Sequence, residues 1–267
     1  MSSVLPAGSL MERWGGDVCR QVFTDEDAGH GDDYASGLSA ENADYPLVAA
    51  LAGMDFPDRR TALLVHGALV RSGTGVAAIK LVHQYLVDAD AISLLTVLRT
   101  RYRFTFVHCL KTLELSMFVA RQTGVEDNER AVLAVGALLH DIGKLSVPIS
   151  LLMLQRSLRP VEIDRIRTHA EAGYELLSDK RIFGWNSVLE IIRHHHEYLN
   201  GTGYPFGLVG GQISWRTRCV TVCDVLSALT ERRPYRPAMS RDEAFSILIE
   251  MTRAGKLDGE IVGIFRS

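Results

Sequence analysis

The chain has 267 residues, of which 47% are hydrophobic and 23% charged, as is ordinary for a folded protein with one large domain. Its net charge of −3 argues against a protein that binds nucleic-acid polymers through their phosphates. No apolar stretch approaches the roughly 20 residues that a membrane helix needs, and residues 1–10 lack the features of a signal peptide. We therefore expect a cytoplasmic protein that binds neither nucleic acid nor a membrane.

The N-terminal part of the chain differs in charge from the rest. Residues 1–45 hold two Arg and nine Asp or Glu, a net charge of −7, whereas the remainder carries +4. We interpret 1–45 as an acidic leader that is solvated or mobile. Residues 46–98 are predicted to form a small helical N-terminal region of unknown role, with breaks near residues 53–57 and 72–75.

The apolar spacing beyond residue 45 is helical, which predicts a nearly all-α protein. One helix is expected over residues 105–121, and residues 131–139, apolar on every side, indicate a helix buried all round. Another helix should open at Pro160. Its expected apolar stripe has five members: Ile163, Ile166, His169, Gly173 and Leu176.

The C-terminal third is predicted to contain one long loop between helices. Residues 200–211 include five glycines and a proline, which favours a loop of specific backbone shape. A helix is expected over residues 213–230. The capping box at residues 240–243 then opens the last long helix.

Histidines are concentrated in the centre of the chain, since six of the nine fall within residues 108–196. Several lie on faces that should be buried: His140 and Asp141 follow the apolar run, and His169 lies on an apolar stripe. Burying an imidazole or a carboxylate is unfavourable unless the group is hydrogen-bonded or metal-bound. Each histidine alone favours a structural role, but the combination favours a metal site.

The triplet His194, His195 and His196 can be divided by helical geometry, which separates successive side chains by about 100°. Relative to the apolar face of the preceding helix, His195 and His196 point inward. His194 lies on the polar side and is expected at the surface or behind the ligands.

The ligand types indicate the kind of metal. Nitrogen and carboxylate donors without thiolates suit iron, manganese or zinc, and a carboxylate such as Asp141 can bridge two ions. A structural zinc site would normally need only four ligands, often including Cys.

Four separated motifs resemble the signature of HD-GYP phosphodiesterases, which belong to the HD superfamily of metal-dependent phosphohydrolases. In chain order they are HDIGK at 140–144, HHE at 195–197, NGTGYPFGL at 200–208 and RPYR at 233–236. The resemblance covers about residues 100–265. It implies an all-α, HD-type helical bundle around a dinuclear metal site, and we assign residues 99–267 to this catalytic domain.

The resemblance implies two divalent metal ions per chain, iron first and manganese as the alternative. One ion would be held by His108, His140, Asp141 and Asp224. The other would be held by Asp141, His169, His195 and His196. Asp141 would thus bridge the ions, and a water shared by them would attack phosphorus. Lys144, one turn beyond Asp141, would reach the same phosphate.

The implied substrate is cyclic di-GMP, hydrolysed to linear pGpG, and a further step to GMP is left open. Arg233 and Arg236 would clamp a second phosphate, although the residues alone equally allow a surface ion pair. Tyr204 is left open between a substrate contact and an anchor for its loop. The loop Gly203-Tyr204-Pro205 is also a candidate surface for a cyclic-di-GMP-synthesising partner domain, and a homodimer is left open.

The chain departs from the family pattern at three places. Residues 99–107 contain no acid, whereas some relatives hold a third metal through a glutamate there. Asn200 and Ser227 stand where Asp is usual. Two alternative functions follow: a cyclic-dinucleotide receptor or docking module with little turnover, and a phosphohydrolase of the wider HD superfamily that acts on another nucleotide.

Overall fold

The computed structural model describes residues 55–182, 184–231 and 238–266. Within these ranges the protein is all-helical, as predicted, and the only β-type pairing is an isolated bridge between Asn200 and Val209. The acidic leader and the start of the N-terminal region lie outside the described residues.

Twelve α-helices follow one another in the described residues. They are α1 Phe56–Arg71, α2 Val76–Asp88, α3 Ala91–Arg101, α4 Arg103–Thr123, α5 Asp127–Leu139, α6 Ile149–Leu152, α7 Pro160–Arg167, α8 His169–Leu177, α9 Trp185–His194, α10 Trp215–Thr230, α11 Arg241–Arg253 and α12 Gly259–Ile264. Two short 3₁₀ segments, Ile142–Ser146 and Gly210–Gln212, connect them.

The N-terminal helices pack into the same hydrophobic core as the rest of the described chain. The predicted break at residues 72–75 separates α1 from α2, and α1 opens inside the other predicted break, at residues 53–57. Asp55 caps α1 by accepting a hydrogen bond from the Asp58 backbone N–H at 3.1 Å. The domain boundary that we placed between residues 98 and 99 lies within α3, and the proposed division remains a prediction.

Helix α5 is the centre of the bundle. All nine residues from Ala131 to Leu139 are buried, which confirms the predicted all-round burial. Helices α2, α4 and α9 surround α5. Because α5 ends in the core, the two residues that follow it, His140 and Asp141, are buried as well.

The apolar stripe predicted from Pro160 is partly wrong. A single helix would have carried it, but the helix is interrupted at Thr168, between α7 and α8. Ile163, on α7, and Leu176, on α8, are 37% and 41% exposed, while Leu177 is fully buried. His169 keeps its predicted inward position as the first residue of α8.

The remaining predicted helices are present with small shifts at their ends. Helix α10 starts two residues later than expected because Ser214 caps it by accepting from the Thr217 backbone N–H. The capping box of Ser240 and Glu243 opens α11 as predicted. Among the described helices none is long and apolar enough to cross a membrane alone; α2 and α3 pass that test only as a pair, bent by 87°.

Candidate metal centre

The structure brings all seven predicted metal ligands together at one end of α5. His108 lies on α4, His169 begins α8, and Asp224 lies on α10. His140 and Asp141 follow α5, and His195 and His196 follow α9. Six of the seven are buried, and the His196 side chain is 22% exposed. The assignment of these residues as ligands remains a prediction.

Asp141 lies between two groups of histidines, and its two carboxylate oxygens face different groups. Oδ2 is 3.5 Å from His140 Nε2 and 3.9 Å from His108 Nε2. Oδ1 is 3.3 Å from His169 Nε2 and 4.0 Å from His195 Nε2. A carboxylate in this position can contribute one oxygen to each of two ions.

The donor atoms fall into three overlapping groups: two lie within the predicted ligand sets, while the third, of His140, His195 and Asp224, joins members of both sets. Those of Asp141, His169, His195 and His196 all lie within 4.8 Å of one another. So do those of His108, His140 and Asp141. Asp224, the remaining predicted ligand, places Oδ1 2.8 Å from His108 Nε2, and its Oδ2 lies 3.8 Å from His196 Nδ1.

Three of the histidines are held in the orientation that metal binding requires. The Nδ1 atoms of His140, His169 and His195 each lie within hydrogen-bond distance of the backbone carbonyl three residues earlier, at 2.7, 2.8 and 2.9 Å. A carbonyl only accepts, so Nδ1 of each ring carries a proton, and Nε2 is the nitrogen that faces the cluster.

Two buried atoms at the centre support the fit of a metal. Within the described residues, His140 Nε2 and Asp141 Oδ1 have no hydrogen-bond partner. Such atoms are costly in a folded protein unless an ion or water satisfies them. Imidazole nitrogens and carboxylate oxygens with few competing partners are a donor set that fits divalent ions.

The electrostatics of the cluster keep both carboxylates ionised. Burial alone would raise the pKa of Asp141, but the Lys144 ammonium and the neighbouring His140 outweigh it and hold this pKa well below its usual value. The hydrogen bond with His108 likewise overcomes burial and lowers the pKa of Asp224. Burial lowers the pKa of His196 to about 3, which keeps that ring neutral and able to bind a metal.

The same carboxylates attract positive charge to the other end of the cluster. Burial would lower the pKa of His140, but the charge of Asp141 raises it well above the usual value. For His108 the hydrogen bonds with Asp224 and Glu231 outweigh burial and raise the pKa. Ions bound here would therefore compete with protons for these two rings.

Lys144 lies beside the predicted bridging ligand. The 3₁₀ segment that follows Asp141 brings its ammonium back to Asp141 Oδ2, 2.5 Å away. The Lys144 side chain is 19% exposed, so the cluster has a cation at its solvent-facing edge. This position agrees with the predicted proximity to Asp141, while its role toward a phosphate remains a prediction.

Glu197, which sequence reasoning treated only as part of a motif, holds the glycine-rich loop against the cluster. Its buried carboxylate accepts hydrogen bonds from the backbone N–H groups of Phe206 at 2.6 Å and Leu208 at 3.0 Å. Gly203 passes so close to this helix end that a β-carbon there would lie 2.5 Å from the His196 carbonyl oxygen. The motif glycine therefore permits a close approach of two backbones.

Tyr204 covers the exposed edge of the histidine cluster. Its ring centroid lies 4.7 Å from that of His196, and the Arg167 guanidinium lies over the ring at 5.2 Å. This packing fits the anchoring role, and a contact between Tyr204 and substrate remains a prediction. Asn200, one of the departures, accepts from the Thr202 backbone N–H and donates to the Ala254 carbonyl.

The other predicted residues have different outcomes. Arg233 and Arg236 lie outside the described residues. His194 is half-buried and packs edge-on against Phe206 rather than facing the cluster. Sequence reasoning also missed Glu231, whose Oε1 lies 3.3 Å from His108 Nδ1. Its spacing of four residues from Ser227 on one helix face was the available signal.

Comparisons with known proteins identify chains of similar sequence. The chain is 34% identical over 175 residues to a 3'3'-cGAMP-specific phosphodiesterase of Vibrio cholerae. The aligned region covers 65% of this chain and 40% of that protein. It is 35% identical over 176 residues to a cyclic di-GMP phosphodiesterase of Pseudomonas aeruginosa, covering 66% and 42%. The chain thus spans about two fifths of the length of these relatives.

The fold has a solved counterpart. An HDG"Y"P protein from Bdellovibrio bacteriovorus superposes with a TM-score of 0.54 at 21% identity, covering 83% of this chain and 76% of that one. The model of a family described as the HD domain matches residues 90–261. This match includes every histidine and aspartate of the cluster, and the chain therefore belongs to the HD domain family.

Proposed function

We propose that this protein is a metal-dependent phosphodiesterase that hydrolyses cyclic di-GMP to linear pGpG. The position of Asp141 between two histidine groups is the observation that carries the proposal. One carboxylate whose two oxygens face two sets of imidazole nitrogens is the arrangement expected of a dinuclear site. The two relatives described above are phosphodiesterases of cyclic dinucleotides, which supports this substrate class.

The seven clustered side chains would hold two divalent ions. Such a pair, when bound, supplies Lewis acids that neutralise phosphoryl oxygens and lower the pKa of water. The protein contributes the positions of these ligands, and three of them, His140, His169 and His195, are oriented by hydrogen bonds that their Nδ1 atoms donate to backbone carbonyls. We favour iron, with manganese as the alternative.

Three cationic side chains would orient the substrate. Lys144, at the edge of the cluster, is placed to bind the phosphate under attack. Arg233 and Arg236 are proposed to hold the second phosphate of the cyclic dinucleotide. Tyr204 and Arg167, which stack on each other beside His196, would form one wall of the binding site and offer an aromatic and a planar cationic surface to a nucleobase.

The test is an assay of anaerobically purified protein loaded with iron or manganese. Cyclic di-GMP and 3'3'-cGAMP are incubated separately and the products resolved by chromatography. We expect linear pGpG from cyclic di-GMP, and complete loss of product after chelation. Lys144→Met should lower the rate by about 10²-fold or more while leaving the metal content unchanged, because its ammonium contacts a ligand but is not one.

Two results would replace this proposal. Loaded protein that binds cyclic di-GMP but yields no linear product would be a cyclic-dinucleotide receptor. Protein that cleaves a nucleoside monophosphate much faster than cyclic di-GMP would be a phosphohydrolase of another HD type. A higher kcat/KM for 3'3'-cGAMP than for cyclic di-GMP would change the substrate but keep the reaction.

A further inference from the structure

A buried carboxylate behind the cluster is not used by the proposed mechanism. Glu231, 8% exposed, follows the last residue of α10 and places Oε1 3.3 Å from His108 Nδ1. The same oxygen lies 2.6 Å from Ser227 Oγ. Ser227 Oγ is in turn 3.1 Å from His108 Nδ1. Glu231, Ser227 and His108 therefore form a closed triangle of polar contacts.

The hydrogens in this triangle can be assigned from donor and acceptor capacity. The Ser227 hydroxyl has one hydrogen, and its short contact with the Glu231 carboxylate, which only accepts, uses it. Ser227 Oγ can then only accept from His108. Both partners of His108 Nδ1 are thus acceptors, which requires that Nδ1 carry a proton.

The proton on Nδ1 determines what Nε2, on the other side of the His108 ring, can do. With Nδ1 protonated, the neutral His108 ring has its lone pair on Nε2, and Nε2 lies 2.8 Å from Asp224 Oδ1. A lone pair facing a carboxylate at that distance needs a positive charge between them. A proton or a cation shared by the two predicted ligands would provide it.

We propose that Glu231 is a positioning residue for the metal centre, which fixes the tautomer and orientation of His108 both directly and through Ser227. The proposal rests on the metal centre described above but not on the identity of the substrate. Three other cluster histidines, at positions 140, 169 and 195, use a backbone carbonyl three residues earlier for this purpose. His108 instead lies within α4 and uses the side chains of Ser227, on α10, and of Glu231, the residue that follows α10.

The reason for this difference is the position of His108 in its helix. A residue in the interior of an α-helix finds the preceding carbonyls already accepting from backbone N–H groups. His140, His169 and His195 are at helix ends or starts, where the local geometry brings a carbonyl to Nδ1. His108 lies in the interior of α4, and its Nδ1 finds acceptors in Ser227 and Glu231 instead.

The test is the metal affinity of purified protein, measured by competition with a chromophoric chelator for manganese, which requires no substrate. We expect Glu231→Ala to weaken the affinity about 10- to 100-fold. Glu231→Gln should lose less, because its amide oxygen can still accept. Glu114→Ala is the matched control: Glu114 is equally buried but pairs with Arg71, away from the cluster, and should leave the affinity unchanged.

A rescue variant separates positioning from general stability. The double variant Ser227→Asp/Glu231→Ala moves the carboxylate from position 231 to position 227. The new carboxylate extends one bond further than the serine hydroxyl, into the space that the Glu231 side chain filled. We expect it to restore most of the affinity, and Ser227→Ala/Glu231→Ala to restore none. Nitrogen-15 NMR of metal-free protein should show His108 as the Nδ1–H tautomer or protonated ring in wild type and in Glu231→Gln, and a different proton distribution in Glu231→Ala.

Unchanged affinity in both folded Glu231 variants would overturn this inference, whether or not wild-type protein hydrolyses cyclic di-GMP. If Glu231→Ala does not fold, Glu231→Gln and the rescue variant decide the same question. Wild-type protein that shows these affinity differences but never hydrolyses a cyclic dinucleotide would overturn the proposed function and leave the role of Glu231 supported.

Discussion

Gly143 packs directly against His169: a β-carbon on residue 143 would lie 1.9 Å from the His169 carbonyl oxygen. The same β-carbon would lie 2.4 Å from the Gly173 backbone nitrogen. The missing side chain thus lets the 3₁₀ segment after Asp141 touch α8. This contact brings Asp141 Oδ1 within 3.3 Å of His169 Nε2.

We predict that Gly143→Ala both destabilises the protein and weakens metal binding, because the 3₁₀ segment must move away from α8. The expected loss is about 1–3 kcal/mol in the free energy of unfolding, as for other overpacked sites. Urea unfolding and metal content measure the two effects. Gly263→Ala is the control, since a β-carbon there meets nothing within 4 Å. Wild-type stability and metal content in Gly143→Ala would contradict the prediction.

The histidine triplet gives a second prediction. His195→Ala and His196→Ala should each lower the metal content, because both rings share the group formed with Asp141 and His169. His194→Ala should leave the metal content nearly unchanged, since this ring packs against Phe206. Elemental analysis of the three variants checks this. Loss of metal from His194→Ala alone would mean that the assigned ligand set is wrong.

We predict that the protein binds two metal ions per chain and not three. A third ion would need another anionic ligand near His108 Nε2, and residue 104, one turn upstream, is a 58% exposed Phe. Glu231 lies on the Nδ1 side of His108 and is engaged by Ser227. Elemental analysis should therefore give two ions, and a ratio of three would refute the prediction.

A kinetic consequence follows from the metal count. With less positive charge available to hold a second phosphate, we expect the first cleavage, which gives linear pGpG, to be faster than the second, which gives GMP. A time course of the products measures both steps. GMP as the dominant early product would contradict this expectation.

The buried pair His66 and His83 predicts how stability depends on pH. Burial lowers the pKa of both, that of His83 to about 3, and the ring atoms Nδ1 of His66 and Nε2 of His83 are 3.4 Å apart. Below pH 6.5 the unfolded chain binds protons that folded His83 does not, so stability falls as the pH falls from 6.5 toward 3. At pH 5 the contribution of His83 to this loss is about 2 kcal/mol.

The measurement is urea unfolding of chelated wild type and His83→Gln between pH 7 and pH 4. Glutamine does not titrate, so the free energy of unfolding of the variant should fall less steeply over this range. The difference between the two proteins should shrink as the pH falls. Parallel curves would show that His83 is not the group responsible.

The sequence alone determined most of the local features that position the site. The apolar run before His140 predicted a buried helix, because nine consecutive apolar residues leave no polar face for solvent. The capping box at Ser240 and Glu243 predicted the start of α11, because capping depends only on residues three apart. Helical register likewise turned His194 away from the other two histidines of its triplet.

Only the tertiary structure decided the relations between distant segments. The helix predicted from Pro160 is interrupted at Thr168, and Ile163 and Leu176 are exposed, which the periodicity of a single continuous helix could not predict. Glu231 and His108 are 123 residues apart and meet because α10 packs on α4. Helical periodicity is set by neighbouring residues, whereas the partner of a buried polar atom is set by the packing of whole helices. For that reason the sequence could indicate a metal site, but only the fold could assign each oxygen of Asp141 to its own pair of histidines.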